Sequence, residues 1–231
     1  MSPTSALHDI AVIVPAAGQG TRMRDGQPKQ YLPLNGVPML QHVLSKMLAL
    51  GPSRLVVAIA SDDEAFAGLP VASRCRVVVG GSTRAESVRN CLDDLDLSAD
   101  DWVMVHDAAR PCIRARDISR LVQAVDSDPV GGILAVPVVE TVKRSDDNSR
   151  IDVTVSREGL WLAQTPQMFR FGLLKDALDG AAREGVTVTD EASAIEWMGL
   201  APLLVEGHRD NLKVTTPEDI KLAEQFLKLQ G

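Results

Sequence analysis

Residues able to hold phosphate stand near the start of the chain. They are Pro15-Ala16-Ala17-Gly18-Gln19-Gly20-Thr21-Arg22-Met23, followed by Pro28-Lys29-Gln30-Tyr31. The apolar run Ile10–Val14 leads into them and reads as a buried strand. Glycines after a strand let backbone N–H groups of Ala17, Gly18 and Gly20 approach an anion closely. Arg22 and Lys29 add two cations to the same loop. Arg22 can grip two phosphate oxygens at once, whereas Lys29 acts as a point charge. Cations on a phosphate cradle suit phosphoryl or nucleotidyl transfer, where developing charge must be stabilised.

Three common phosphate loops do not fit. A Walker A loop ends in Gly-Lys-Ser/Thr, which is missing here. A dinucleotide fingerprint needs a third glycine where Met23 stands, and the second apolar strand lacks a terminal acid to bind ribose. A kinase loop would require downstream catalytic motifs that the chain lacks.

The elements that must position the loop are read from hydrophobic spacing. Strands are expected at Ile10–Val14, Leu55–Ala60, Arg76–Val79, Trp102–His106, Gly132–Pro137 and Ala201–Val205. Helices are expected at Pro38–Leu50, Ala85–Leu95 and Ile118–Val125, with a last one opening at Thr216-Pro217-Glu218-Asp219. Such alternation predicts a doubly wound α/β fold within one domain spanning 1–231. Ligands then bind outside the carboxyl ends of strands, where the loops after Val14 and His106 lie. Asp107 sits at such an end; it can accept from a ribose hydroxyl, help hold Mg²⁺ or cap the next helix. His106 points the other way and reads as structural. Asp190 and Glu191 read as a helix N-cap and a first-turn acid rather than as substrate ligands. Gly80 and Gly81 let the backbone meet a flat base edge, beside the hydroxyl of Ser87.

Residues 138–162 break the alternation: two alternating runs flank the polar stretch Ser145–Arg150, the pattern of a β-hairpin. A hairpin projecting from the domain leaves unpaired edges that a second copy would cover, so it reads as a dimerisation arm.

Composition narrows the partners. The net charge of −7 disfavours nucleic acid, because affinity for that polyanion rests on many Lys and Arg contacts. With 45% hydrophobic but only 3% aromatic residues, Ala, Val and Leu fill the core, as in sheets buried on both faces. Cys75, Cys91 and Cys112 are scattered and suggest neither a metal cluster nor a disulfide framework. No 18-residue apolar stretch and no apolar signal core occurs, so the expectation is a cytoplasmic enzyme without a membrane partner.

The first loop is similar to the nucleotide-binding signature of the sugar-nucleotidyltransferase superfamily. Three further segments are Val105–Pro111, Thr189–Ala194 and Asp210–Thr215. With them the chain resembles the 2-C-methyl-D-erythritol 4-phosphate cytidylyltransferase family from about Ile10 to Leu227. The resemblance implies a Rossmann-like mixed sheet flanked by helices. It also implies an enzyme of the non-mevalonate isoprenoid pathway that joins CTP and methylerythritol phosphate with release of pyrophosphate. Mg²⁺, or another divalent cation, is implied as cofactor, with Asp107 as its ligand. Arg22, Lys29, Arg157 and Lys213 are implied as catalytic. Ala16, Ala17, Gly18, Gly20, Gly81, Ser87, Asp107 and Ala108 are implied to bind the nucleotide. Asp107, Arg110, Thr141, Arg157, Thr165 and Lys213 are implied to bind the second substrate. The resemblance places Thr141 and Arg157 of the arm in the partner's site. Some relatives carry an acid where Ser82 stands here. A ribitol-5-phosphate cytidylyltransferase shares the fold and first loop, and its substrate differs by one carbon and a branching methyl, a difference worth only about 1–3 kcal/mol at a pocket. A non-catalytic nucleotide sensor would have kept the glycines without Arg22, Lys29 and Lys213.

Overall fold

The computed structural model describes residues 7–18 and 28–230. Gly20 and Arg22 of the first loop lie outside them. The strands are β1 (Ile10–Pro15), β2 (Pro33–Leu34), β3 (Val37–Pro38), β4 (Arg54–Ile59), β5 (Arg76–Val79), β6 (Trp102–Val105), β7 (Gly131–Pro137), β8 (Val142–Ser145), β9 (Ile151–Val155), β10 (Trp161–Arg170) and β11 (Leu203–Glu206). The helices are α1 (Met39–Ala49), α2 (Arg84–Asp93), α3 (Ala115–Val125), α4 (Phe171–Arg183), α5 (Glu191–Trp197) and α6 (Pro217–Gln230).

Seven strands form one sheet in the order β11-β7-β10-β6-β1-β4-β5. β1 pairs parallel with β4 and β6, and β4 with β5. β10 runs antiparallel to both β6 and β7, so the sheet is mixed, as expected. Alternate side chains of each central strand go to opposite faces, and both faces are covered. On one face Val12, Val14, Val57 and Met104 meet α1 and α3 through Leu44, Met47, Ile118 and Leu121. On the other Ile13, Val56, Val103 and Phe169 meet α2, α4 and α5 through Val88, Leu92, Leu178 and Ile195. Burying a side chain of this kind stabilises by about 1.5–3 kcal/mol. A smaller cluster joins Ala223 of α6 to Met39, Cys112 and Val214, which ties the last helix to the loop beyond β6.

Five expected strands match closely, while the sixth begins at Leu203 rather than Ala201. β10 and α4 were not foreseen. β10 carries Gln164-Thr165-Pro166-Gln167, a composition that argues against a central strand. The chain tolerates it because pairing with β7 shifts register between Ala163 and Gln167. β8 and β9 form a separate two-stranded sheet, the hairpin expected within 138–162. Among the described residues no helix is long and apolar enough to cross a membrane.

Candidate active site

The parallel strand order changes direction between β1 and β6, and their carboxyl ends open beside that of β5. A cleft of about 500 Å³ lies there, lined by Ala16–Gly18 after β1, Gly81–Arg84 after β5, Asp107–Ala109 after β6, and by Lys29 and Lys213. This is the crevice such sheets offer a ligand.

The first loop is anchored on both sides. The Ala16 amide donates to the Ala58 carbonyl at 2.7 Å. The buried Gln30 amide donates to the Ala16 carbonyl at 2.8 Å. Gly80 is required for its closeness: a Cβ there would stand 2.3 Å from the Ala17 Cβ. The Gly81 amide donates to Ser87 Oγ at 3.1 Å, and Ser87 Oγ donates to the Thr83 carbonyl at 2.9 Å. Ser87 therefore closes the loop after β5, with both its hydrogen-bonding roles engaged inside the protein. Thr83 caps α2 by accepting from the Glu86 amide. Glu86 reaches back to the Ser82 amide and hydroxyl, both at 2.7 Å.

The charges converge on Asp107, which is 6% exposed. Its Oδ1 accepts from Arg84 Nε at 2.8 Å, and its Oδ2 lies 2.9 Å from Lys213 Nζ. Arg110 Nε stands 3.8 Å away. Burial opposes ionisation of Asp107, but Arg84 and Lys213 outweigh it and hold the carboxyl well below the usual carboxylate range. Asp107 does not cap the next helix, whose N-cap is Arg114. Arg84 also grips the fully buried Glu191 with Nη1 at 2.7 Å and Nη2 at 2.9 Å. Asp190 caps α5 as read from the sequence, in a capping box with Ser193.

Lys213 lies on a segment fixed at several points. Asn211 Nδ2 donates to the Thr165 carbonyl at 2.8 Å, and the Val214 amide to the Ala109 carbonyl at 2.8 Å. Lys29 Nζ donates to the Val214 carbonyl at 2.8 Å, so one lysine of the cleft is bonded to the residue that follows the other. Arg110 donates to the Asn211 carbonyl at 2.7 Å. Burial pushes its guanidinium below its ordinary value.

Of the expected site residues, Ala16, Ala17, Gly18, Lys29, Gly81, Ser87, Asp107, Ala108 and Lys213 share this cleft. Thr165 and Arg110 sit just behind Asp107 and are largely enclosed. Thr141 and Arg157 are exposed on the hairpin and do not line the cleft; Arg157 donates to the Val139 carbonyl. Arg84 and Gln30 were missed as site residues. Arg84 carried one local signal, a cation at the first turn of a helix, where the dipole disfavours it.

Residues 10–229 match the family described as IspD, 2-C-methyl-D-erythritol 4-phosphate cytidylyltransferase. The enzyme of that name from Laribacter hongkongensis is 52% identical over 223 residues, covering 95% of this chain and 96% of the relative. That from Vibrio atlanticus is 48% identical over 230 residues, covering 97% of each. The crystal structure of the Francisella tularensis enzyme superposes with a TM-score of 0.80 at 38% identity, covering 94% of this chain and 99% of that one. The chain belongs to the 2-C-methyl-D-erythritol 4-phosphate cytidylyltransferase family.

Proposed function

We propose that this protein transfers the cytidylyl group of CTP to 2-C-methyl-D-erythritol 4-phosphate, in isoprenoid precursor biosynthesis. The products are 4-diphosphocytidyl-2-C-methyl-D-erythritol and pyrophosphate. The observation that carries the reading is family membership over residues 10–229, joined to a cleft with Lys29, Arg84 and Lys213 on its walls.

The reaction is an in-line attack on the α-phosphorus. A phosphate oxygen of the second substrate forms the new P–O bond as the α–β bridging bond breaks. The nucleophile is already anionic at neutral pH, so no general base is needed. Two polyanions must instead be held together while charge builds on the leaving pyrophosphate. Lys29 and Arg22 are assigned to that charge. Lys213 is assigned to the attacking phosphate, with Arg110 and Thr165 behind it. The Ala16–Gly18 and Gly20 backbone is assigned to the triphosphate, Gly81, Ser87 and Ala108 to the nucleoside, and Asp107 to its ribose.

The donor set fits a magnesium ion carried chiefly by triphosphate oxygens. Asp107 is the only carboxylate among the described lining residues, and no three His, Cys, Asp or Glu side chains cluster among the described residues. Mg²⁺ commonly binds through one or two carboxylates plus substrate phosphates. Asp107 would hold it once Lys213 turns to the substrate. The ion would supply positive charge at the phosphates.

The hairpin is proposed as a dimer arm that delivers Arg157 and Thr141 to a partner's cleft. Apolar Ile151 at 67% exposure and Val139 at 51% support this, since a second copy would cover them.

The test is pyrophosphate release from purified protein with Mg²⁺ and CTP. Methylerythritol 4-phosphate and ribitol 5-phosphate are compared side by side, with UTP, ATP and GTP as controls. Release only with CTP and methylerythritol phosphate is expected; release with ribitol phosphate alone overturns the substrate assignment.

A further inference from the structure

We propose that Glu191 is a positioning residue of this site. It acts through Arg84 on the carboxylate of Asp107, and through Asp107 on Lys213. The inference rests on the proposed cytidylyl transfer and goes beyond it, because Glu191 does not line the cleft.

Four separate segments meet in this chain of charges. Glu191 opens α5, Arg84 opens α2, Asp107 follows β6, and Lys213 precedes α6. Both carboxylates are buried, with side-chain exposures of 1% at Glu191 and 8% at Asp107, while the cations are more open, at 26% for Arg84 and 44% for Lys213. Arg84 commits three N–H donors, two to Glu191 and one to Asp107. Only a planar guanidinium can face two carboxylates in this way; an ammonium is a single point charge.

Glu191 is itself held in place. The buried Gln167 of β10 donates from Nε2 to Asp190 Oδ2 at 2.8 Å and accepts from the Ala192 amide at 2.9 Å. One amide side chain thus fixes the residues on both sides of Glu191. A carboxylate at the first turn of α5 also suits the helix dipole.

Stability alone is a poor reason for this arrangement, since apolar pairs often replace buried ion pairs without loss. Orientation is a better one. With Glu191 holding two guanidinium nitrogens, Arg84 is pinned in a pose in which only Nε donates to Asp107. The second Asp107 oxygen is left to Lys213. Remove the Glu191 charge, and Arg84 is free to turn and take both Asp107 oxygens as a fork. Lys213 then loses its partner and its direction.

The test uses the full chain as wild type, Glu191→Gln, Arg84→Lys and the double variant. Each substrate is varied in turn in the pyrophosphate-release assay. Glu191→Gln is expected to lower kcat/KM for methylerythritol phosphate by about tenfold or more, with a smaller loss toward CTP, whose ribose is assigned to Asp107. Arg84→Lys is expected to do the same. The double variant should be no worse than the worse single, because both act through one chain. Equal losses toward both substrates, losses that multiply, or values within about twofold of wild type overturn the proposal. Should Glu191→Gln fail to fold, Arg84→Lys carries the same kinetic test. Wild-type inactivity with these substrates would instead refute the functional reading. The inference is then judged by a crystal structure of Glu191→Gln or Arg84→Lys, and Lys213 still seated on Asp107 overturns it.

Discussion

The Asp107 amide donates to the hydroxyl of Thr165 at 2.9 Å, joining the end of β6 to the irregular middle of β10. That hydroxyl also lies 3.1 Å from His106 Nδ1, while His106 Nε2 lies 3.1 Å from the Arg110 carbonyl. A carbonyl only accepts, so Nε2 carries the ring proton and Nδ1 accepts from Thr165. Every group in the relay is satisfied, and the turn from His106 to Arg110 is fixed in the pose that aims Asp107 at the cleft.

Thr165→Val should therefore be costly in two ways. It strands a buried amide and a buried ring nitrogen, each worth about 1–3 kcal/mol when left unpaired. It also frees Asp107, so turnover should fall further than stability alone explains. Thr165→Ser keeps the hydroxyl and should retain most of both. Urea unfolding and pyrophosphate release on the two variants check this. Equal behaviour of Val and Ser would remove the hydroxyl from the account.

The same relay sets a pH dependence. Burial drives His106 from 6.5 down to about 4, because a charged ring has no water to solvate it. Its folded pKa lies below its unfolded one, so between those values the unfolded chain binds the extra proton. This contribution to stability is present in full above the unfolded pKa and is lost as pH falls toward about 4. The slope for one such group approaches about 1.4 kcal/mol per pH unit. His106→Gln keeps a donor for the Arg110 carbonyl and cannot titrate. Urea midpoints of wild type and His106→Gln at neutral pH and near pH 5 should show a smaller acid loss in the variant.

The chain makes some of this legible and hides the rest for definable reasons. β1 and β6 are written as unbroken apolar runs, so the loops at their ends and Asp107 could be placed from sequence. Asp190 is a local cap and was equally readable. Glu191 is not: it looks like an ordinary first-turn acid, because its partner Arg84 lies 107 residues away. β10 hides because its polar middle is satisfied by tertiary partners, Gln167 by α5 and Thr165 by the β6 end. The Gly80-Gly81 pair announces a close approach, but only the fold shows that Ala17 is what approaches.

Gly80→Ala follows from that approach. The new methyl would stand 2.3 Å from the Ala17 Cβ and 2.9 Å from Ser87 Oγ, and neither is the far end of a flexible chain. The first loop must be displaced. Overpacking of this kind costs about 1–3 kcal/mol, and nucleotide binding should weaken with it. Gly81→Ala meets Glu86, whose Cγ and Cδ can swing into solvent but whose Cβ, 2.5 Å from the new methyl, is fixed to α2. CTP titration by calorimetry should show weakened binding for Gly80→Ala; unchanged binding contradicts the packing argument.

Lys29→Ala removes a cation from the cleft and, among its contacts, the hydrogen bond to the Val214 carbonyl. The thermal midpoint should change little. Turnover should fall by about 100- to 1000-fold, the usual cost of losing a preorganised group that meets developing charge. Single-turnover chemistry with saturating substrates measures this directly. A rise in KM with kcat intact would make Lys29 a binding residue only.

If the hairpin crosses to a partner, Lys29 and Arg157 of one site come from different chains. Arg157→Ala and Lys29→Ala should each be inactive as pure dimers, for different reasons. In a mixed dimer, the cleft of the Arg157→Ala chain keeps its Lys29 and receives an intact Arg157 from the other arm. The second site of that dimer carries both changes and stays silent. Random exchange makes half the molecules mixed, and half their sites are whole, so about a quarter of wild-type activity should return. If both residues instead belonged to one chain, every site in the mixed dimer would still lack one of them, and nothing would return. Native mass spectrometry on the mixture establishes the exchange, so that a silent mixture, once exchange is seen, counts against an arm that crosses.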